Sequence, residues 1–255
     1  MDSETSSWKG RVAIVTGGSS GIGRAVAEAI ASGGGRVVVT GRDRKRLDGL
    51  HTFGGAIAPV QADSADPGSA ARIVAAAIER WGRLDLLVNH AGAGRPLPIE
   101  AYDAKSVAEV CAVNLVAPSL LVKEARAALR ASRGAIVNVG TALSRGAAPG
   151  LAHCAATKAA LEHLTRSWAV ELAAEGIRVN AVSPGPVKTG ALTGMMGLSE
   201  EEARVVEEKE AAEIPLGRRG RTDDVVPWIL RLGHPENEWI TGQVLTVDGG
   251  WTLRR

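Results

Sequence analysis

The sequence predicts an α/β fold, a single doubly wound sheet of about seven mostly parallel strands with helices on both faces. Three observations predict it. Short runs rich in Val, Ile and Leu, bounded by Gly, Pro or Asp, recur along the chain, as strands buried on both faces require. Between them lie longer segments whose apolar residues return every three or four positions, the spacing of amphipathic helices. Strand and helix alternate from end to end, which implies right-handed crossovers between parallel neighbours. A chain of 255 residues with 45% hydrophobic content can bury one large core, and no Pro/Gly/Ser linker divides it. The expected organisation is a polar tail at 1–9 and one domain at 10–255.

The first element is the buried strand Val12-Ala13-Ile14-Val15. It runs through Thr16 into Gly17-Gly18-Ser19-Ser20-Gly21-Ile22-Gly23 and then a helix to Ser32. After a parallel strand the chain must reverse tightly into a helix. Gly17, Gly21 and Gly23 are expected to supply positive φ, close approach of backbone to phosphate, and tight helix–strand packing. The helix dipole and its first amides favour an anion. Gly17, Ser19, Ser20, Gly21, Ile22 and Gly23 are therefore candidate contacts to a dinucleotide pyrophosphate. A glycine triplet alone is a weak signal; the strand before it, the alanine-rich helix after it and a second strand at 36–40 give it weight.

Enzymes that use NAD place an acid at the end of that second strand to hold the ribose hydroxyls, and this chain has Thr40-Gly41-Arg42. An arginine pairs with a 2′-phosphate that an acid would repel. NADP(H) is thus expected in preference to NAD(H), with Arg42 as the main contact and Arg44 or Lys45 assisting. Further strands are expected at 57–60, 84–89, 135–139, 178–182 and 243–247. Helices are expected at 69–81, 106–129, 155–175 and 223–233, and Ser199-Glu200-Glu201-Glu202 is a capping-box pattern opening a charged helix that ends at Glu213.

Composition narrows the function classes. The formal net charge of +2 gives no electrostatic case for nucleic acid or an anionic membrane. The first seven residues are polar, without the apolar centre of a signal peptide or anchor, and no run of about 18 apolar residues is evident elsewhere. A cytoplasmic protein is expected. Cys111 and Cys154 fall on separate expected helices and are read as free thiols. His51, His90, His163 and His234 are scattered without i, i+4 pairing, so no metal site is expected.

These motifs resemble those of the short-chain dehydrogenase/reductase family, over nearly the whole chain from Gly10 to Trp251. The family's glycine motif matches residues 16–23, and Asp63 matches its adenine-contacting acid. Asn89-His90-Ala91-Gly92 resembles its Asn-Asn-Ala-Gly turn, with His90 in place of the second Asn. Asn114 matches its active-site asparagine and Pro184-Gly185-Pro186-Val187 its nicotinamide-side turn. Thr241-Gly242-Gln243 with Val247-Asp248-Gly249-Gly250 matches its C-terminal signature. The resemblance implies that Asp63, Asn89, Ala91, Gly92, Lys158, Pro184, Gly185, Val187 and Thr189 contact the cofactor. It also implies a small-molecule substrate and a mobile substrate lid at about 188–215, with Leu192, Met195, Met196 and Leu198 as an apolar wall. Assembly into a homotetramer or homodimer through the helices at 106–129 and 155–175 follows from it too, with Trp168 an interface or core residue.

The family's catalytic set is Asn, Ser, Tyr and Lys, and here the chain departs from it. Asn114 and Lys158 match. The serine position is Thr141, which keeps a hydroxyl for a substrate oxygen, and the tyrosine position is Cys154. A cysteine sulfur stands several ångströms short of a tyrosine hydroxyl, whereas proton transfer needs heavy atoms within roughly 3 Å or one intervening water. Three readings of Cys154 follow. It is a buried structural thiol; an altered proton donor or nucleophile, with His153 pointing about 100° away around the helix; or a mark of chemistry that needs no phenol. Tyr102, the only tyrosine, falls outside the matched motifs. His90 is read as satisfying a loop carbonyl. The leading expectation is an NADP(H)-dependent carbonyl or alcohol oxidoreductase. The alternatives are a non-redox dehydratase, isomerase or cyclase on the same scaffold, and a non-catalytic cofactor-binding subunit.

Overall fold

The computed structural model describes residues 7–50 and 53–253. Most of the expected tail, His51 and the two C-terminal residues lie outside the described residues. The strands are β1 (Val12–Val15), β2 (Arg36–Gly41), β3 (Ile57–Gln61), β4 (Leu86–Asn89), β5 (Ala135–Val139), β6 (Arg178–Pro184) and β7 (Val244–Val247). They form one seven-stranded sheet in the order β3-β2-β1-β4-β5-β6-β7, with every pair parallel. The helices are α1 (Gly21–Ser32), α2 (Arg44–Asp48), α3 (Ser69–Trp81), α4 (Ala104–Cys111), α5 (Ala117–Ser132), α6 (Ala152–Ala173), α7 (Ala191–Gly194), α8 (Glu200–Glu213) and α9 (Thr222–Gly233). This is the single Rossmann-like α/β domain that the alternation of apolar runs implies.

The period-two geometry of a strand explains why those runs are continuously apolar. In β1, Ala13 and Val15 face a cluster built with Val26 and Ile30 of α1 and Val225 and Ile229 of α9. Val12 and Ile14 face the opposite cluster, built with Ile73 of α3, Leu121 and Leu129 of α5, and Leu172 of α6. The strand order reverses between β1 and its neighbours β2 and β4, so a crevice opens beyond the carboxyl ends of β1 and β4, where ligands of open α/β sheets bind.

The one helix expected at 106–129 is two, joined by a π-helical turn at Ala112–Val116. A π turn absorbs an extra residue without breaking the helix axis, so the apolar repeat carries no sign of it. Pro118, which has no N–H to give to the ladder, stands directly after the π turn, where the Ala117 N–H still reaches the Ala112 carbonyl. The joined segment Ala104–Ser132 is also long and apolar enough to span a membrane by length and composition, although polar and charged residues such as Asn114, Lys123 and Glu124 interrupt its apolar run. Its Leu121, Val122, Ala125 and Leu129 belong to the core.

At the opposite end of the sheet from the crevice, Arg178 opens β6 with a buried guanidinium that caps the carboxyl end of α9. It donates to the carbonyls of Leu232 at 2.7 Å, Gly233 at 3.2 Å and His234 at 3.0 Å. The Leu232 and Gly233 carbonyls have no partner within the helix and lie at the negative end of its dipole, while the His234 carbonyl also accepts from Asn237 N–H at 3.1 Å, so the buried charge is met by main-chain oxygens. Arg178→Ala is expected to lower unfolding free energy by about 3 kcal/mol, since it leaves the Leu232 and Gly233 carbonyls without a partner; a denaturant midpoint unchanged from wild type would refute this role.

Candidate active site and cofactor cleft

Two turns meet in the crevice, and one hydroxyl joins them. Thr16 Oγ1 donates to the Val88 carbonyl at 3.3 Å and accepts from the backbone N–H groups of His90 and Ala91, both at 3.0 Å. Such close approach leaves no room for side chains. Gly17 and Gly21 have φ of 64° and 54°, and a Cβ on Gly17 would stand 2.9 Å from the Ala91 Cα. Gly23 does not have positive φ. It is small because a Cβ there would meet His90 Nδ1 at 2.5 Å and the Gly17 carbonyl at 2.7 Å. His90 Nδ1 lies 3.3 Å from the Thr16 carbonyl. Burial and the Lys158 charge push its pKa down to about 4, so the ring is neutral at physiological pH and satisfies a loop carbonyl as expected.

The start of α1 suits an anion. Its N-cap Ser20 makes no side-chain cap bond, and its first turn carries no acid. Thr189 closes over it, within 3.4 Å of a Cβ built on Gly21. The Ile22 side chain belongs to the core, which leaves its backbone for a ligand. At the end of β2, Ser19 Oγ packs 2.8 Å from where a Gly41 Cβ would be. The Arg42 carbonyl accepts from Gln61 Nε2 at 3.0 Å. Arg44 pairs with Asp48 at 3.0 Å and Arg46 with Asp43 at 3.4 Å; among the described residues Arg42 has no ion pair. The Asp63 carboxylate caps its own turn, accepting from Ala65 N–H at 2.9 Å. Asn89 is buried, and its side chain donates to Asn138 Oδ1 at 2.9 Å across the sheet. These glycines, free amides and basic groups are what a dinucleotide requires, and the cradle fits one.

The floor of the crevice gathers the other candidates. Asn114, fully buried by the π turn, donates to the Ala93 carbonyl and the Thr157 hydroxyl, both at 2.9 Å, and accepts from Ala93 N–H at 2.8 Å. Lys158 Nζ donates to the Val139 carbonyl at 2.7 Å. A Cβ on Gly92 would be 3.5 Å from Lys158 Nζ and 3.6 Å from Asn114 Oδ1, so the three groups converge. Burial lowers the Lys158 pKa to about 8, with Cys154 partly opposing the shift. Burial raises the Cys154 pKa, with Lys158 partly opposing. The thiol is therefore kept protonated, which counts against a thiolate nucleophile. Thr141 Oγ1 accepts from Leu143 N–H at 3.4 Å.

Cys154 and Met195 both pack beside Gly94. A Cβ on Gly94 would be 2.9 Å from the Cys154 Sγ and 3.5 Å from Met195 Cε. Ser199 and Glu202 form the expected capping box of α8, with Ser199 N–H donating to Glu202 Oε2 at 2.8 Å and Glu202 N–H donating to Ser199 Oγ at 3.2 Å. Gly185 is glycine because a Cβ would meet Asp248 Cβ at 2.6 Å, which seats the C-terminal signature against the turn at 184–187. Two features carried no signal in the sequence. The Tyr102 ring stacks edge-on with His153 at 4.5 Å, beside Cys154. Arg219, with a buried side chain, pairs with Glu207 at 2.5 Å and Glu210 at 2.9 Å, which ties α8 to the segment before α9. A charge pattern alone does not distinguish such a buried arginine from a solvated one.

The chain is similar in sequence and fold to known oxidoreductases. The family model described as enoyl-(acyl carrier protein) reductase matches residues 17–252. An uncharacterized oxidoreductase of Methylorubrum extorquens is 36% identical over 248 residues, covering 95% of this chain and 98% of its own. A 3-oxoacyl-[acyl-carrier-protein] reductase of Thermotoga maritima is 32% identical over 258 residues, covering 96% and 99%. The crystal structure of a short-chain dehydrogenase/reductase of unknown function from Caenorhabditis elegans, with cofactor, superposes with a TM-score of 0.91 at 32% identity, covering 97% of each chain.

The low Lys158 pKa carries a stability consequence. Between about 8 and the ordinary 10.5, the unfolded chain holds a proton that the native state gives up, so this residue makes stability rise with pH across that window. Below it, the buried charge is a standing cost. The stability difference between wild type and Lys158→Met is expected to change by up to about 3 kcal/mol between pH 7 and 10.5; denaturant titrations giving a difference independent of pH would contradict the assignment.

Proposed function

The chain belongs to the short-chain dehydrogenase/reductase family of oxidoreductases, whose members use a nicotinamide dinucleotide, and from that premise we propose an NADP(H)-dependent enzyme acting on a carbonyl or alcohol through Asn114, Thr141, Cys154 and Lys158. The single observation that carries this reading is the convergence of the Lys158 ammonium and the Asn114 amide on Gly92, in the turn that Thr16 joins to the glycine motif. When bound, the cofactor supplies or accepts the hydride. The remaining tasks belong to the chain.

Lys158 uses one proton on the Val139 carbonyl and keeps two for the cofactor ribose and the relay of a proton. Asn114 is spent on the backbone of Ala93 and on Thr157, so its role is to hold the turn at 91–94 in place. The Thr141 hydroxyl accepts only one long contact, which leaves its hydrogen for a substrate oxygen. The Cys154 thiol retains its proton and, being shorter than a phenol, hands it on through water. Preference for NADP(H) is supported by Arg42, the guanidinium after β2 that no carboxylate neutralises among the described residues, together with the absence of an acid at Thr40-Gly41. A substrate lid at about 188–215 is supported by Met195, whose Cε and the Cys154 Sγ both lie beside Gly94. The exposed Val116 and Val170 on the outer faces of the π turn and α6 favour assembly through these helices, while Trp168 packs on the core.

NADPH titration by fluorescence and NADPH oxidation with a panel of carbonyl compounds test the reading together. Lys158→Ala is expected to lower turnover by about 100-fold or more, and substrate conversion without cofactor oxidation would refute the redox assignment. Arg42→Asp is expected to weaken NADPH about 10-fold or more while sparing NADH, because only the 2′-phosphate loses a charge-assisted bond; equal losses for both cofactors would refute the NADP(H) preference.

A further inference from the structure

One buried carboxylate below the crevice has no place in this chemistry. Glu162 lies one helical turn beyond Lys158 on α6 and is 7% exposed. Its Oε1 accepts from the Ser144 hydroxyl at 2.7 Å and from the Ser183 hydroxyl at 2.6 Å. Ser144 sits in the 3-10 turn that Thr141 caps, and its hydroxyl is shared with the Thr141 carbonyl at 2.7 Å. Ser183 is fully buried near the end of β6, directly before Pro184-Gly185. One oxygen atom thus joins the turn that presents Thr141 to the turn expected beside the nicotinamide. Gly140 makes room for the junction, because a Cβ there would stand 2.5 Å from Ser183 Oγ and 3.1 Å from Glu162 Oε1.

We propose that Glu162 is a positioning residue whose Oε1 clamps the Thr141 turn to the Ser183-Pro184-Gly185 turn, fixing the separation between the group that holds the substrate oxygen and the wall of the nicotinamide site. Which ligands the two turns hold rests on the preceding functional reading, whereas the clamp is a property of the chain. Hydride transfer is sensitive to small displacements of its partners, so a clamp at this point acts on turnover more than on binding. Both hydroxyls converge on a single oxygen, so the clamp depends on reach and not on negative charge. A glutamine oxygen at the same reach accepts both, and an aspartate, one methylene shorter, does not.

Amide hydrogen exchange of the cofactor-free protein, read over residues 141–146 and 183–189, tests this directly. Glu162→Ala and Glu162→Asp are expected to speed exchange in both segments together by about tenfold or more, the factor that loss of a buried hydrogen bond implies. Glu162→Gln is expected to leave both segments close to wild type. In turnover, Glu162→Ala is expected to lower kcat with little change in KM for the carbonyl, and Glu162→Gln to restore it. Faster exchange in neither segment or in only one would overturn the clamp, as would a glutamine variant as loose as the alanine one. Glu162→Asp keeps the test decisive if Glu162→Ala does not fold. If wild type turns over no carbonyl, the hydride reading fails while the exchange result still decides the clamp.

Discussion

The cleft depends on one hydroxyl. Parallel strands end with their carboxyl edges open, and at the point where the strand order reverses, the turns after β1 and β4 must approach more closely than side chains allow. Thr16 Oγ1 makes that approach possible by taking up the carbonyl of Val88 and the amides of His90 and Ala91. Gly17 and Gly23 are then small because Ala91 and His90 are near, and Gly92 is small where Lys158 and Asn114 arrive from below. The glycines are consequences of packing at the switch point as much as of turn conformation: only two of the motif's three matched glycines have positive φ.

Beneath those turns the molecule buries a series of polar groups and pairs most of them. Asn138 accepts from Asn89 and donates to Thr165; Asn114 binds Ala93 and Thr157; Lys158 binds Val139; Glu162 binds Ser144 and Ser183. Unpaired, each would cost about 1–3 kcal/mol or more; paired, they fix the relative positions of β4, β5, β6 and α6. Burial lowers the Lys158 pKa to about 8 and raises that of the neighbouring Cys154, so both are shifted toward their neutral forms. A protonated thiol beside a readily deprotonated ammonium is a proton-handling pair, which is the physical content of the proposal that the phenol's task is distributed over other groups.

Most of the fold was legible in the sequence because the signal was redundant: each parallel strand is apolar on both faces, so β1 to β6 stand out without any knowledge of their partners. The cradle was legible in the same way from strand, glycines and helix together. What escaped has a common cause. The π turn at Ala112–Val116 leaves the apolar repeat unbroken, so a single helix was expected. The inward turn of the Asn89 side chain toward Asn138 depends on strand register. The contact of Met195 with Gly94 beside Cys154, and the convergence of Ser144 and Ser183 on Glu162, join segments far apart in the chain. In sequence, Glu162 differs in no visible way from a solvated glutamate on a helix, and only its position one turn beyond Lys158 hints at the buried face.

Hydride is proposed to pass between cofactor and substrate in a site where a thiol stands at the phenol position. The most direct measurement is deuterium transfer: the enzyme turning over a carbonyl with NADPH deuterated at nicotinamide C4, with the product analysed by mass spectrometry and the two C4 faces labelled separately. Deuterium from one face alone is expected on the carbinol carbon of the product. Product that carries no deuterium from either face would contradict it and place the chemistry outside hydride transfer.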